Sequence, residues 1–172
     1  KGALWFVQKV MPRLHSANAR IELDVVGDGP ERAEIEAAVK RASIGSVVHL
    51  WGDLDESGKA ERLARCDLVL MPNRQVDGDP EGFGLVALEA AASERYVLAA
   101  DLEGLRDAIG DPRIGSLLPT ENADAWFEAI RALLADPAGL RAKGEAARAY
   151  ASEHCSWRTM GLRYAERLDE LV

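Results

Sequence analysis

The feature that most constrains the fold of this 172-residue chain is a repeated alternation of short apolar runs with longer amphipathic segments. The apolar runs predict strands over residues 21–26, 47–51, 68–71, 96–99 and 115–118. The strand over 21–26 is nearly continuously apolar toward its end, which is typical of a strand covered by helices on both faces. The alternation therefore predicts an α/β fold, a Rossmann-like doubly wound parallel sheet with helices on both faces.

The segments between the strands carry apolar residues at helical spacing. They predict helices over 1–14, with a kink or an end at Pro12, and over 31–42, 59–65 and 105–109, together with one that begins near Gly84. After residue 118 the pattern becomes wholly helical, with helices around Trp126, from Pro137 and around Trp157. Gly27-Asp28-Gly29 follows the first strand but lacks the third glycine of a dinucleotide fingerprint, so no NAD site is predicted.

Charge and cysteine content exclude several function classes. The formal net charge is −8 and the sequence pI is about 5.0, and no basic run interleaved with aromatic residues is present, so a nucleic-acid partner is not expected. Cys66 and Cys155 lack metal-ligand spacing and are predicted to be reduced thiols of a cytosolic protein. No apolar run approaches the roughly 18 residues that a membrane span requires, so any membrane contact would be peripheral.

Residues 77–92 read DGDPEGFGLVALEAAA and contain the most informative local pattern. Glu81 and Glu89 have seven residues between them, and Gly82 and Gly84 stand just before the predicted helix. The backbone N–H groups from Gly82 to Val86 lack intrahelical partners, and the helix dipole adds positive charge there. This geometry suits an anion such as a diphosphate, with hydroxyl groups of the same ligand donating to the two carboxylates.

The segment PEGFGLVALEA resembles the E-x7-E signature of the retaining glycosyltransferases of family 4, which have the two-domain GT-B architecture. The resemblance implies that Glu81 and the backbone of Gly82, Phe83 and Gly84 hold the donor sugar. It further implies that the helix N-terminus at Leu85 and Val86 holds the diphosphate, and that Glu89 holds the ribose diol.

Other segments extend the resemblance over nearly the whole chain, among them LDVVGDGPERAEIE, CDLVLMPN and HCSWRTMGLRYAERL. In the family, this domain opens with a strand ending in Gly-Arg, followed by a Lys-Gly pair whose Lys helps the Arg to neutralise the diphosphate. Lys1-Gly2 matches that pair, so Lys1 joins Glu81 as a predicted catalytic residue. The resemblance thus implies that residues 1–172 are the C-terminal donor-binding domain of a two-domain enzyme, without the first strand and the acceptor-binding N-terminal domain.

The resulting expectation is a hexosyltransferase that transfers a sugar from a UDP- or GDP-linked donor to a sugar, lipid or polysaccharide acceptor, with retention and without a metal or cofactor. The acceptor would bind through the other domain, which would also make any peripheral contact with the inner face of the membrane, and the fragment alone would be inactive. Two alternatives stay open: a non-catalytic nucleotide-binding module and a nucleotide-sugar epimerase of the GT-B type.

Several residues compete with this interpretation or depart from the family pattern. Asp77-Gly78-Asp79 and Asp53-Leu54-Asp55 both spell the D-x-D of metal-dependent glycosyltransferases, but turn composition already favours such triplets and no metal ligands are assigned. His49 is predicted to be a hydrogen-bonded core residue of its strand. Glu103-Gly104 and Asp107 stand where the family usually has Gly-Gly and Glu, which bears on how the loop around Leu102 to Leu105, after the predicted strand over 96–99, closes over the donor.

Overall fold

The computed structural model describes residues 2–17, 20–75 and 84–169. Within those ranges the strands are β1 Leu23–Val26, β2 Val48–Gly52, β3 Leu68–Met71, β4 Tyr96–Ala100 and β5 Gly115–Leu118. The helices are α1 Ala3–Lys9, α2 Met11–Ala17, α3 Arg32–Arg41, α4 Glu56–Arg65, α5 Leu85–Ala92, α6 Glu103–Ala108, α7 Ala123–Leu134, α8 Pro137–His154 and α9 Trp157–Asp169. Strands and helices alternate through β5 and helices follow, as the sequence predicts.

All strand pairings between these elements are parallel. β1 pairs with β2, and β3 pairs with β4, which pairs in turn with β5. The predicted α/β fold with a parallel sheet is therefore confirmed. Among the described residues, no backbone pairing joins β1 to β3, so the strands form a two-stranded and a three-stranded group.

The core is centred on β4, because all five of its residues are buried. β1 behaves differently: its residues alternate between half-buried and exposed, so the expectation that it is covered on both faces is wrong. Asp24 and Val26 lie on its open face, and the guanidinium of Arg62 on α4 approaches the Asp24 carboxylate at 3.7 Å. Because α4 offers the charged side chain of Arg62 to this face, Val26 remains 39% exposed.

The N-terminal helices bury most of the apolar surface on one side of the molecule. Trp5 and Phe6 of α1 meet Trp126 of α7 edge to face, with ring centroids 6.3 and 6.1 Å apart. The predicted break at Pro12 lies instead at Val10, between α1 and α2. Pro12 is accommodated in the first turn of α2, where its missing N–H group costs no intrahelical hydrogen bond.

Helix α4 bridges the two groups of strands. It begins at Glu56, three residues earlier than predicted, because the Asp55 side chain caps it by accepting from the Gly58 N–H at 2.8 Å. Its Arg62 reaches β1, and the guanidinium of Arg95, beside β4, donates to two carbonyls of its last turn at 2.9 and 2.8 Å. None of its residues is fully buried.

Helix α6 also begins earlier than predicted, at Glu103. No helix in the described ranges combines the length and the apolar character that crossing a bilayer requires.

Candidate functional site

The candidate site lies where β3 ends and α5 begins, at the edge formed by the carboxyl ends of the parallel strands, where open α/β sheets bind ligands. Gly84 is the N-cap of α5 and has a left-handed backbone, with φ 70° and ψ 42°. A Cβ atom at this position would lie 2.8 Å from Cδ2 of Leu105 and 3.3 Å from Cβ of Ala108. Glycine therefore serves two purposes here, since it permits the left-handed turn and it permits close packing on α6.

The first turn of α5 presents backbone donors at the surface. The Ala87 N–H donates to the Gly84 carbonyl at 2.8 Å. The N–H groups of Leu85 and Val86 precede this bond and therefore have no partner within their own helix. Leu85 and Val86 are 62% and 48% exposed, so the residues of this turn lie at the surface of the described structure. An anion placed there would receive hydrogen bonds from the amides and the favourable field of the helix dipole.

Glu89 lies one turn further along α5 and is exposed. Lys59 of α4 lies within electrostatic range of it. The Glu56 carboxylate, which accepts from the Lys59 ammonium at 2.8 Å, raises the pKa of Lys59 above its ordinary value, and the charges of Glu89 and Asp53 add to that effect. The charges of Glu89, on α5, and of Lys59, on α4, thus influence each other although they belong to separate helices.

The start of α1 lies at the same edge. Gly2 has φ 92°, and a Cβ atom there would lie 1.8 Å from the carbonyl oxygen of Pro72, the residue after β3. The chain therefore enters α1 directly beside the end of β3. Four predicted site residues lie outside the described residues, namely Lys1, Glu81, Gly82 and Phe83. Of the others, Gly84, Leu85, Val86 and Glu89 are all found in or just before the first two turns of α5.

The second D-x-D triplet has a structural use. Asp55 caps α4, and the Asp53 carboxylate accepts from the Asp28 N–H at 3.0 Å, which ties the turn after β1 to the end of β2. The other triplet, Asp77-Gly78-Asp79, lies outside the described residues. Among the residues that are described, no group of three His, Cys, Asp or Glu side chains is arranged to hold a metal ion.

The predicted role of His49 is wrong. Its side chain is 39% exposed and its Nε2 lies 3.7 Å from the Glu22 carboxylate, on the open face of the two-stranded group. The strand is apolar in sequence, but His49 and Leu50 are only half-buried, whereas Val48 before them is buried.

Two surface cavities of the described residues lie elsewhere. One of about 430 Å³ runs along α8, and one of about 380 Å³ lies between α8 and the first residue of β4, Tyr96. Neither is lined by a residue at the carboxyl edge of the strands. They are shallow depressions along one helix, and none of the predicted site residues borders them.

Two contributors to the site carried no sequence signal of their own. Lys59 is separated from Glu89 by thirty positions and belongs to no motif, so only the fold brings their charges together. Leu105 reads as an ordinary core residue of a short helix, and its contact with Gly84 appears only in three dimensions. Helical periodicity predicts that such a leucine is buried, but not which residue it touches.

Comparison with known proteins identifies the family. Residues 1–136 match the family described as glycosyl transferases group 1, and the chain belongs to this family. It is 30% identical over 162 residues to the GDP-mannose-dependent alpha-(1-6)-phosphatidylinositol monomannoside mannosyltransferase of Mycolicibacterium smegmatis, covering 93% of this chain and 42% of that protein. The predicted membership in the glycosyltransferases is confirmed.

Two solved structures support the same conclusion about the fold. HepE from Anabaena, in complex with UDP, aligns with a TM-score of 0.79 at 22% identity, over 96% of this chain and 46% of that one. The C-terminal domain of the group 1 glycosyl transferase LpcC from Francisella tularensis aligns with a TM-score of 0.75 at 23% identity, over 91% of this chain and 80% of that one. The chain thus has the fold of one half of a GT-B glycosyltransferase, and it spans about two fifths of the length of the curated relatives it matches.

Proposed function

We propose that residues 1–172 are the C-terminal, donor-binding domain of a two-domain glycosyltransferase that transfers a hexose from a UDP- or GDP-linked donor to an acceptor. The observation that carries the proposal is the N-terminus of α5, where Gly84 provides no side-chain cap and the exposed residues Leu85 and Val86 precede the exposed carboxylate of Glu89 by one turn. Membership in the group 1 glycosyl transferases supports it.

In the proposed mechanism, the diphosphate of the donor lies at the first turn of α5. The bond between the sugar and the diphosphate breaks with negative charge developing on the departing nucleoside diphosphate. Amides that already point at that position, together with the helix dipole, stabilise this charge without having to reorganise. Lys1 supplies further positive charge, and Glu81 orients the sugar. Glu89 accepts hydrogen bonds from the ribose diol, which fixes the nucleotide along α5.

The acceptor attacks the sugar from the face that the leaving group occupied, so the configuration at the anomeric carbon is retained, and no metal ion takes part. A sugar, lipid or polysaccharide acceptor would bind between this domain and the acceptor-binding domain. We place the protein in the cytoplasm, with any contact with the inner face of the membrane made through the other domain.

The proposal includes a strand that precedes Gly2 and lies between β1 and β3. Among the described residues β1 and β3 are not paired with each other, although α4 spans both groups of strands. Because Gly2 packs on Pro72, a preceding segment that ends beside the end of β3 would run parallel to both neighbours. It would convert the two groups into one continuous sheet in the order β2-β1-new strand-β3-β4-β5. The length of the relatives agrees with an additional domain before it.

The test of function is transfer of a radiolabelled sugar by the natural full-length polypeptide from a panel containing GDP-mannose and UDP-glucose, with EDTA present. We expect transfer from one donor and an anomeric configuration, read by NMR, that matches the donor. Nucleotide binding without turnover would favour the non-catalytic module instead. Turnover of the donor sugar without any acceptor would favour the epimerase. Loss of binding in EDTA would contradict the metal-independent mechanism.

A further inference from the structure

Three apolar groups form a platform beneath Gly84: Leu105 and Ala108 of α6 and Met71 of β3. Leu105 is fully buried, and its Cδ2 lies 2.8 Å from the position that a Cβ atom on Gly84 would occupy. The corresponding distances are 3.3 Å to Cβ of Ala108 and 3.7 Å to Cε of Met71. Leu105 thus packs directly against the backbone of the turn that starts α5.

The platform is anchored to the buried strand β4 and its neighbour β5. α6 follows β4 through Asp101, whose N–H donates to the Leu118 carbonyl of β5 at 2.8 Å. The Arg106 guanidinium pairs with the Asp101 carboxylate across the first turn of α6, and this pairing lowers the pKa of Asp101. Asp101 is thus held by β5 through its N–H and by α6 through its carboxylate. These two contacts fix the position of Leu105, on α6, relative to the buried strand β4.

α5 begins without a side-chain cap. α4, α7 and α8 each begin with a side chain, from Asp55, Asn122 or Asp136, that accepts a hydrogen bond from the first turn. The N-cap of α5 is Gly84, which has no side chain with which to do so. A cap of that kind would occupy the amides that the proposed donor requires. Packing of Leu105 against the turn can position it without occupying these amides.

We propose that Leu105 is a positioning residue of the donor site: it holds the left-handed turn at Gly84 and so sets where the amides of Leu85 and Val86 meet the donor diphosphate. This inference rests on the proposed function. Leu105 itself does not touch the donor. Its effect is therefore expected on donor affinity and not on the affinity for the acceptor.

The test compares two leucine deletions in the natural full-length polypeptide. Leu105→Ala removes the platform, whereas Leu14→Ala removes an equally buried leucine from α2, which packs on α1 and α7. Binding of UDP and of GDP is measured by calorimetry at a temperature at which circular dichroism finds both variants folded, and KM is measured for donor and acceptor. Leu105→Met, which nearly conserves volume, serves as the rescue variant.

We expect Leu105→Ala to weaken binding of the nucleotide that the parent protein binds, and to raise donor KM, by about tenfold to a hundredfold, because small displacements of positioning groups have effects of this size. Acceptor KM should stay within about twofold of the parent value, as should nucleotide affinity in Leu14→Ala and Leu105→Met, since distant or volume-conserving changes act independently of the site. If Leu105→Ala does not fold, Leu105→Val and Leu14→Val replace the pair.

Equal losses in the Leu105 and Leu14 variants would mean general loosening and would overturn the assignment, as would unchanged affinity in the Leu105 variant. A parent protein that bound neither nucleotide would overturn the proposed function, and this inference with it. That outcome is distinguishable from the others because it is read on the parent alone.

Discussion

Replacing Gly84 with alanine tests the geometry of the candidate site most directly. An alanine at φ 70° carries the left-handed penalty of about 1 to 2 kcal/mol. Its Cβ atom would also lie 2.8 Å from Cδ2 of Leu105, a distance that real Cβ atoms essentially never show, so Leu105 or the turn must move. Overpacking in a well-packed interior costs about 1 to 3 kcal/mol. Together these effects predict that Gly84→Ala lowers the free energy of unfolding by about 2 to 5 kcal/mol.

Substitutions of two other glycines separate the contribution of backbone strain from that of steric overlap. Gly27 has φ 114° but no heavy atom within 4 Å of a Cβ position, so Gly27→Ala isolates backbone strain of about 1 to 3 kcal/mol. Gly161 lies within α9, has ordinary φ and also has free space, so Gly161→Ala should stabilise the protein by up to about 1 kcal/mol. Denaturant unfolding followed by tryptophan fluorescence measures all three, with midpoint and slope fitted separately.

A double variant decides whether Leu105 causes the steric part of the effect. Leu105→Ala alone creates a cavity, but in combination with Gly84→Ala it relieves the contact with the new Cβ atom. The two changes should therefore be less destabilising together than their separate effects predict, by about 1 to 3 kcal/mol. If Gly84→Ala were as stable as the parent, or if the two effects simply added, the packing of Leu105 against the start of α5 would be refuted.

Three further outcomes are expected. Glu89→Ala should weaken nucleotide binding about tenfold to a hundredfold in calorimetry, because a carboxylate that accepts from a ribose diol contributes about 1.5 to 3 kcal/mol. The control Glu34→Ala, on the exposed face of α3, should leave nucleotide binding unchanged. Arg113 lowers the pKa of Asp111 from 3.8 to about 2, so the stabilisation from this pair is complete above about pH 4 and disappears as the pH falls to about 2. Asp111→Asn should accordingly lower the unfolding midpoint at pH 7 and leave it unchanged near pH 2, and an equal effect at both pH values would contradict this. Arg95→Ala should destabilise the protein by about 1 to 3 kcal/mol in denaturant unfolding, because two carbonyls at the end of α4 lose a charged donor, whereas no change would mean that solvent replaces it fully.

The parallel sheet was predictable because its strands are short apolar runs separated by amphipathic helices, a pattern that is read locally. β3 and β5 have the predicted bounds, and β4 is one residue longer. The start of α5 near Gly84 was likewise predictable, since this glycine directly precedes a helical pattern. In each case the identity of the residues in the segment is enough to predict the local structure.

The errors arose where the environment of a residue decides its role. His49 belongs to an apolar strand, but its side chain is 39% exposed and lies near the Glu22 carboxylate, so it is not a core residue. Pro12 was expected to end a helix and instead lies in the first turn of one, because the chain breaks two residues earlier. The proximity of Lys59 to Glu89 depends on how α4 crosses between the two groups of strands, and no local pattern encodes that crossing.

The electrostatics of the site favour a hydroxyl-bearing phosphate ligand over a bare anion. The chain carries a net charge of −8, and Glu89, Asp53 and Asp101 all lie near the carboxyl edge of the strands. These carboxylates repel free phosphate, and the helix N-terminus, Lys59 and the Arg106 guanidinium beside Asp101 oppose that repulsion. A nucleotide sugar brings hydroxyl groups that donate to the carboxylates, so the same acids that disfavour a simple anion stabilise the complete donor. Under the proposed function, an acidic domain binds a diphosphate through a few backbone amides, without a basic surface.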